Sequence, residues 1–197
     1  MRILLLAAWL LLLPVALAYH LGPGQARQAL DAAAAKLAEA ERLVQDRDYA
    51  AAADAYEDAL KLLPPERRAE ARRIRVERAK AMMLAKRLPE AHADLKNLVD
   101  DLQGDPAADP ALLADARAVL ANSHYYMTWL MRLEGLGRDA WEPEIESARQ
   151  TYKLLAEQAG QRGDAAAVRK NQEDLEAAIR LARLDLSELQ GLPLPSQ

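Results

Sequence analysis

Apolar residues recurring every three or four positions, cut at intervals by proline, restrict this chain to a succession of helices. After the Gly22-Pro23-Gly24 breaker, the interruptions are Pro64-Pro65, Leu88-Pro89, Asp109-Pro110, Glu142-Pro143 and Gly163-Asp164. Proline suits the first position of a helix, where its missing N–H costs nothing, and Asp109 and Asp164 are natural N-caps. The punctuation predicts helices over residues 25–46, 48–63, 65–87, 89–103, 110–134, 143–161 and 164–189. The apolar content is mostly Ala and Leu, both strong helix formers, while Gly is scarce and no alternating Val/Ile/Thr run occurs. The fold class is all-α, with about seven helices arranged as antiparallel hairpins.

The helix faces indicate how the array packs. The first helix places Ala26, Leu30, Ala33, Leu37, Ala40 and Val44 on one side. The fifth has two apolar faces, Leu113-Leu120-His124-Met127-Met131 and Leu112-Ala116-Val119-Ser123-Leu130. It is expected to be covered on both, as an inner member of a stack must be.

Residues 1–18 read as a secretory signal peptide. Arg2 supplies the positive start, residues 3–16 are apolar except for Pro14, and Ala16-Leu17-Ala18 provides the small-x-small pattern for cleavage after Ala18. Retained instead as an anchor, residues 3–21 come close to the roughly 20 that a span requires. Either way Arg2 stays inside, which places the body in the periplasm or outside the cell, released or held at the inner membrane. Residues 19–24 are a linker, 25–189 the helical domain and 190–197 a flexible Pro-containing tail. The absence of cysteine excludes disulfides, zinc-thiolate sites and cysteine catalysis. With 26 basic and 30 acidic residues the net charge is −4, which argues against a whole-surface nucleic-acid binder.

The most specific segment is DYAAAADAYEDALKLLP, residues 48–64. Ala52, an aromatic at Tyr56, Ala59 and a closing Pro64, with Tyr49 just before them, follow a pattern in which small residues let two helices approach while an aromatic fills the groove. This segment resembles the second half of a tetratricopeptide repeat. The resemblance implies a short right-handed superhelical array with a period of about 34 residues. Repeats then fall near 33–66, 72–105 and 114–161, with a capping helix over 164–189. Ala40 takes the small position of the first repeat, although Lys36 and Glu39 replace large apolar residues. Ala79, Met82, Ala91, Leu95 and Leu98 serve the second, and Leu120, Ala121 and His124 the third. Beyond residue 134 two registers fit: helix six as the partner of helix five, or as the opening of a new hairpin using Tyr152, Leu155, Ala156, Gly163, Val168 and Leu175.

In that family the first helices of successive repeats line a groove that receives a protein segment. Carried over by position, the implied groove residues are Glu41 and Val44, then Arg73, Lys80 and Met83, then Asn122 and Tyr125. Their mixture of charge, amide and aromatic suits an extended segment with polar anchors. The basic run over residues 66–80 reads either as a patch for an acidic partner or lipid headgroup, or as a face paired to Asp54, Glu57, Asp58, Asp94, Asp100 and Asp101; pairing is the usual fate of such a run. The HYYMTW stretch, residues 124–129, reads as core with part of Tyr125 left to the groove, and Trp141 as a packing plug. Val168, Gln172, Leu175, Ile179, Ala182, Leu186 and Leu189 form a heptad stripe that reads first as the face of a capping helix and only second as a homodimer seam.

Catalysis finds little support. The only histidines are His20, His92 and His124, and no H-E-x-x-H, Glu-x-x-His, phosphate-binding glycine loop or G-x-S-x-G occurs. His124 is expected to pack between helices. The chain reads as a non-catalytic interaction module with no cofactor or metal, whose partner is a protein segment or an envelope-complex subunit. It touches the membrane only through an uncleaved N-terminus. A membrane-anchored structural subunit is the alternative, and an enzyme accessory domain a weaker one.

Overall fold

The computed structural model describes residues 25–190; residues 1–24, on which the expected signal peptide and linker fall, and residues 191–197 lie outside the described residues. The helices are α1 (Gln25–Gln45), α2 (Tyr49–Leu62), α3 (Arg68–Leu84), α4 (Leu88–Gln103), α5 (Pro110–Leu133), α6 (Arg138–Gln161), α7 (Ala165–Arg183) and α8 (Leu186–Gln190). No strand occurs among the described residues, and none of their helices is long and apolar enough to cross a membrane. Helices pack on their neighbours in sequence: α1 on α2, α4 on α5, α5 on α6 and α6 on α7, with α8 returning to α5. The chain forms two compact units, Met1–Ile74 and Arg75–Gln197, and the division falls inside α3.

Alanine makes these pairings close. In the first unit Ala33 and Ala40 on α1 and Ala52, Ala53 and Ala59 on α2 are all buried, with Tyr56 beside them. In the second unit α5 is covered on two sides, as its sequence implies. Its Leu112, Ala116 and Val119 join Val76 and Ala79 of α3 and Leu95, Leu98, Val99 and Leu102 of α4. Its second covered face differs from the expected one. Ala121, Tyr125, Trp129 and Leu133 meet Ile145, Ala148 and Tyr152 of α6, Ala178 and Leu181 of α7, and Leu189 of α8.

Two kinds of connection alternate at first. The α1–α2 and α3–α4 turns close through one residue in the left-handed region, Arg47 (φ 61) and Lys86 (φ 63). In each, the next N–H bonds back to the last helical turn: Asp48 N–H to Leu43 O at 2.9 Å, and Arg87 N–H to Met82 O at 2.9 Å. Gly135 (φ 76) and Gly163 (φ 74) do the same for α5–α6 and α6–α7, through Leu136 N–H to Met131 O and Asp164 N–H to Ala159 O, both 3.0 Å. These closures satisfy carbonyls that a helix end leaves open. The α2–α3 and α4–α5 connections are instead proline-containing loops. Beyond residue 134 the two registers merge, because α6 packs on both α5 and α7.

Three boundaries depart from the proline reading. Helix α3 starts at Arg68, because Pro64 to Arg67 forms a turn closed by Arg67 N–H to Pro64 O at 3.0 Å. Helix α6 starts at Arg138 and holds Pro143 inside it. Its opening turn is secured by Ala140 N–H to Gly137 O at 3.0 Å and by the Arg138 guanidinium, which grips Glu142 Oε1 at 3.0 and 2.6 Å. The last expected helix breaks before α8, where Asp185 Oδ1 accepts from Glu188 N–H (2.8 Å) while Glu188 Oε2 accepts from Asp185 N–H (3.0 Å). This reciprocal capping box starts a new helix. Arg132 seals the end of α7 by donating to Leu181 O and Leu184 O, with its guanidinium 4.8 Å from the centre of the Trp141 ring. Gln190, assigned to the tail by the sequence, ends α8.

A non-glycine residue in the left-handed region carries a penalty of about 1 kcal/mol. Lys86→Gly is expected to stabilise the protein by about that amount. Gly163→Ala should destabilise it similarly, since its new Cβ would meet nothing within 4 Å and only the backbone angle would be strained. Thermal unfolding followed by circular dichroism should show opposite shifts of about 2–4 °C.

Candidate functional site

The helix pairing brings Lys80 and Met83 of α3 together with Asn122 and Tyr125 of α5 around one cavity of about 380 Å³. Leu84, Val119 and Ala177 add apolar wall, while Tyr126, Tyr152 of α6, and Lys170 and Asp174 of α7 complete the lining. The remaining expected groove residues, Glu41, Val44 and Arg73, belong to the first unit, where Glu41 and Arg73 are exposed and Val44 is half-buried.

The cavity's polar groups are largely engaged. Lys80 Nζ reaches Glu77 at 2.9 Å and Asp115 at 3.1 Å, and Lys170 Nζ reaches Asp174 at 2.7 Å. The basic run continues this pattern, with Arg78 on Asp94 at 2.5 Å and Arg75 near Asp101 at 3.9 Å. Tyr152 donates its hydroxyl proton to Asn122 Oδ1 at 2.7 Å, leaving the two amide N–H donors of Asn122 unused by that bond. Burial raises the phenol pKa values of Tyr125 and Tyr152, so both hydroxyls stay protonated donors. Tyr125 and Tyr126 stand edge to face, with ring centres 5.5 Å apart.

The chain matches no protein-family model and no curated protein. Its chemistry is therefore read from its own geometry.

A second constellation lies where α4, α5 and α6 meet. His92, Ser123 and His124 are buried, and the Glu144 side chain is 20% exposed. Ser123 Oγ donates its single proton to Leu120 O at 2.7 Å, so it accepts from His92 Nδ1–H at 2.9 Å. That tautomer leaves the His92 Nε2 lone pair facing Glu144 Oε2 at 3.4 Å. His124 Nδ1–H donates to the same oxygen at 2.5 Å. The imidazoles stand nearly perpendicular, at 80°, with centres 4.6 Å apart. His92, His124 and Glu144 can each offer one ligand atom, and these atoms lie within 4.8 Å of one another.

Burial, with His124 beside it, pushes His92 down from 6.5 to about 4 against the pull of Glu144. The hydrogen bond from His124 holds the Glu144 carboxyl below its ordinary value despite partial burial. The sequence predicts packing for His124 but does not group it with Glu144 and His92. The three come from different helices, so no short motif contains them. The available signal is weaker: the two body histidines, His92 and His124, lie close to the period of about 34 residues that the resemblance implies.

The unfolded chain takes up the His92 proton near pH 6.5, whereas the folded protein resists it until about pH 4. Stability attached to this group is therefore present above pH 6.5 and lost as pH falls towards 4. Urea midpoints in chelator-containing buffer should fall across that window, and His92→Gln should flatten the fall.

Proposed function

We propose that the chain is an exported interaction module in which hairpins of tetratricopeptide type hold an extended segment of a partner protein at the cell envelope. One observation carries this reading: Lys80, Met83, Asn122 and Tyr125, from the first helices of two successive hairpins, line a single cavity. A volume of about 380 Å³ suits one or two inserted side chains rather than a folded surface. Since Lys80 and Lys170 already have carboxylate partners, recognition falls to the apolar wall and to the amide and phenol donors. The favoured segment presents an apolar or aromatic anchor next to exposed backbone carbonyls.

A photo-crosslinking residue at Met83 should capture a specific protein in cells, and the same residue at exposed Arg169 should not. Against the captured segment, Tyr125→Ala should weaken binding about tenfold, as loss of a buried aromatic anchor does, with helicity unchanged. Equal capture at both positions, or full affinity in Tyr125→Ala, would remove the cavity from the binding reading.

Export rests on residues 1–18. N-terminal sequencing of the protein from the envelope fraction should begin at Tyr19. A start at Met1 would favour the membrane-anchored structural subunit, tethered by its apolar N-terminus.

A further inference from the structure

We propose that His92, His124 and Glu144 form a binding site for one divalent transition-metal ion of the zinc type. Two imidazoles and a carboxylate are the donor set that zinc takes at three-ligand sites, with water in a fourth position. The nitrogen donors favour zinc, cobalt, nickel or copper over magnesium and calcium, which prefer oxygen.

Hydrogen-bond polarity gives the first argument. Ser123 commits its proton to Leu120 O, which obliges His92 to donate through Nδ1 and to present an Nε2 lone pair to a carboxylate oxygen 3.4 Å away. Two acceptors facing each other across that gap repel unless positive charge lies between them. Metal-ligating histidines are usually oriented in this way, by a hydrogen bond from the other ring nitrogen to a fixed acceptor. Ser123 therefore acts as a positioning residue.

Spacing gives the second argument. At bond lengths of about 2.0–2.1 Å, two ligands on a tetrahedral zinc lie about 3.3 Å apart. The His92 Nε2 to Glu144 Oε2 separation of 3.4 Å already matches. The His124 Nδ1 contact of 2.5 Å is a hydrogen bond, which the ion would replace. The imidazole would shift its proton to Nε2, with none gained or lost. No pair of ligand atoms exceeds 4.8 Å, so small side-chain rotations complete the set. The bound ion would tie α4 to α6 across α5, turning the His92–Glu144 repulsion into a shared bond to the metal.

The test uses the full chain purified without a polyhistidine tag, stripped with chelator and titrated with Zn²⁺ and Co²⁺. One ion per chain should bind, with a visible cobalt spectrum of low symmetry and a rise in melting temperature. Glu144→Gln should weaken zinc binding about 100-fold or more, Ser123→Ala about 10–100-fold, and His20→Gln not at all. If Glu144→Gln fails to fold, long-range ¹H–¹⁵N spectra of the wild type decide. Zinc should then move the ring nitrogens of His92 and His124 and leave those of His20 in place. No saturable binding, binding lost in His20→Gln, or unmoved His92 and His124 nitrogens would overturn the proposal.

Discussion

The close approach of helices through buried alanine is the constraint on which the rest of the structure depends. A methyl group keeps two backbones near each other and leaves little space between them. Side chains next to those alanines are therefore fixed by the backbone that carries them. His92 follows the fully buried Ala91, and Asn122 follows the equally buried Ala121. Glu144 lies one helical turn before the buried Ala148, on the same side of α6, which is how its carboxylate comes within reach of α4 and α5. Larger residues at those positions would push the helices apart and separate the polar groups.

Polar interactions finish what alanine begins. The hairpin turns absorb the carbonyls at helix ends, and Asp48, Asp109 and Asp164 accept the first free N–H groups of α2, α5 and α7. Arg132 does more than cap. It joins the C-terminal turn of α7 to α5 and lies against Trp141 at the start of α6, so one side chain from α5 reaches both following helices. Thr128 returns its hydroxyl proton to His124 O at 2.9 Å, so the inner face of α5 carries polar residues whose groups are satisfied locally.

Much of this was legible in the residues. Helical spacing and proline placed seven helices close to their observed bounds, and the two apolar faces of α5 announced its double burial. Four of the seven expected groove residues line one cavity, because they lie on α3 and α5, which pack around it. What escaped had physical reasons. Pro143 reads as a helix start, yet the Arg138–Glu142 pair holds a turn ahead of it. The Asp185-Leu186-Ser187-Glu188 capping box was visible in the sequence but was masked by a heptad stripe running across it. The cluster of His92, His124 and Glu144 depends on the meeting of three helices, information that no single segment contains.

The sequence-adjacent pairing of helices also bears on how the chain reaches this state. Contacts between neighbouring helices close short loops, so the contact order is low and folding is expected to be fast. Each hairpin can nucleate without waiting for a distant partner, as in other helical arrays. Helix α8 returns furthest of those that pack closely, coming back past α6 and α7 to reach α5. Loop-closure entropy makes that return the slowest of these to form, so α8 acts as a latch on hairpins already in place.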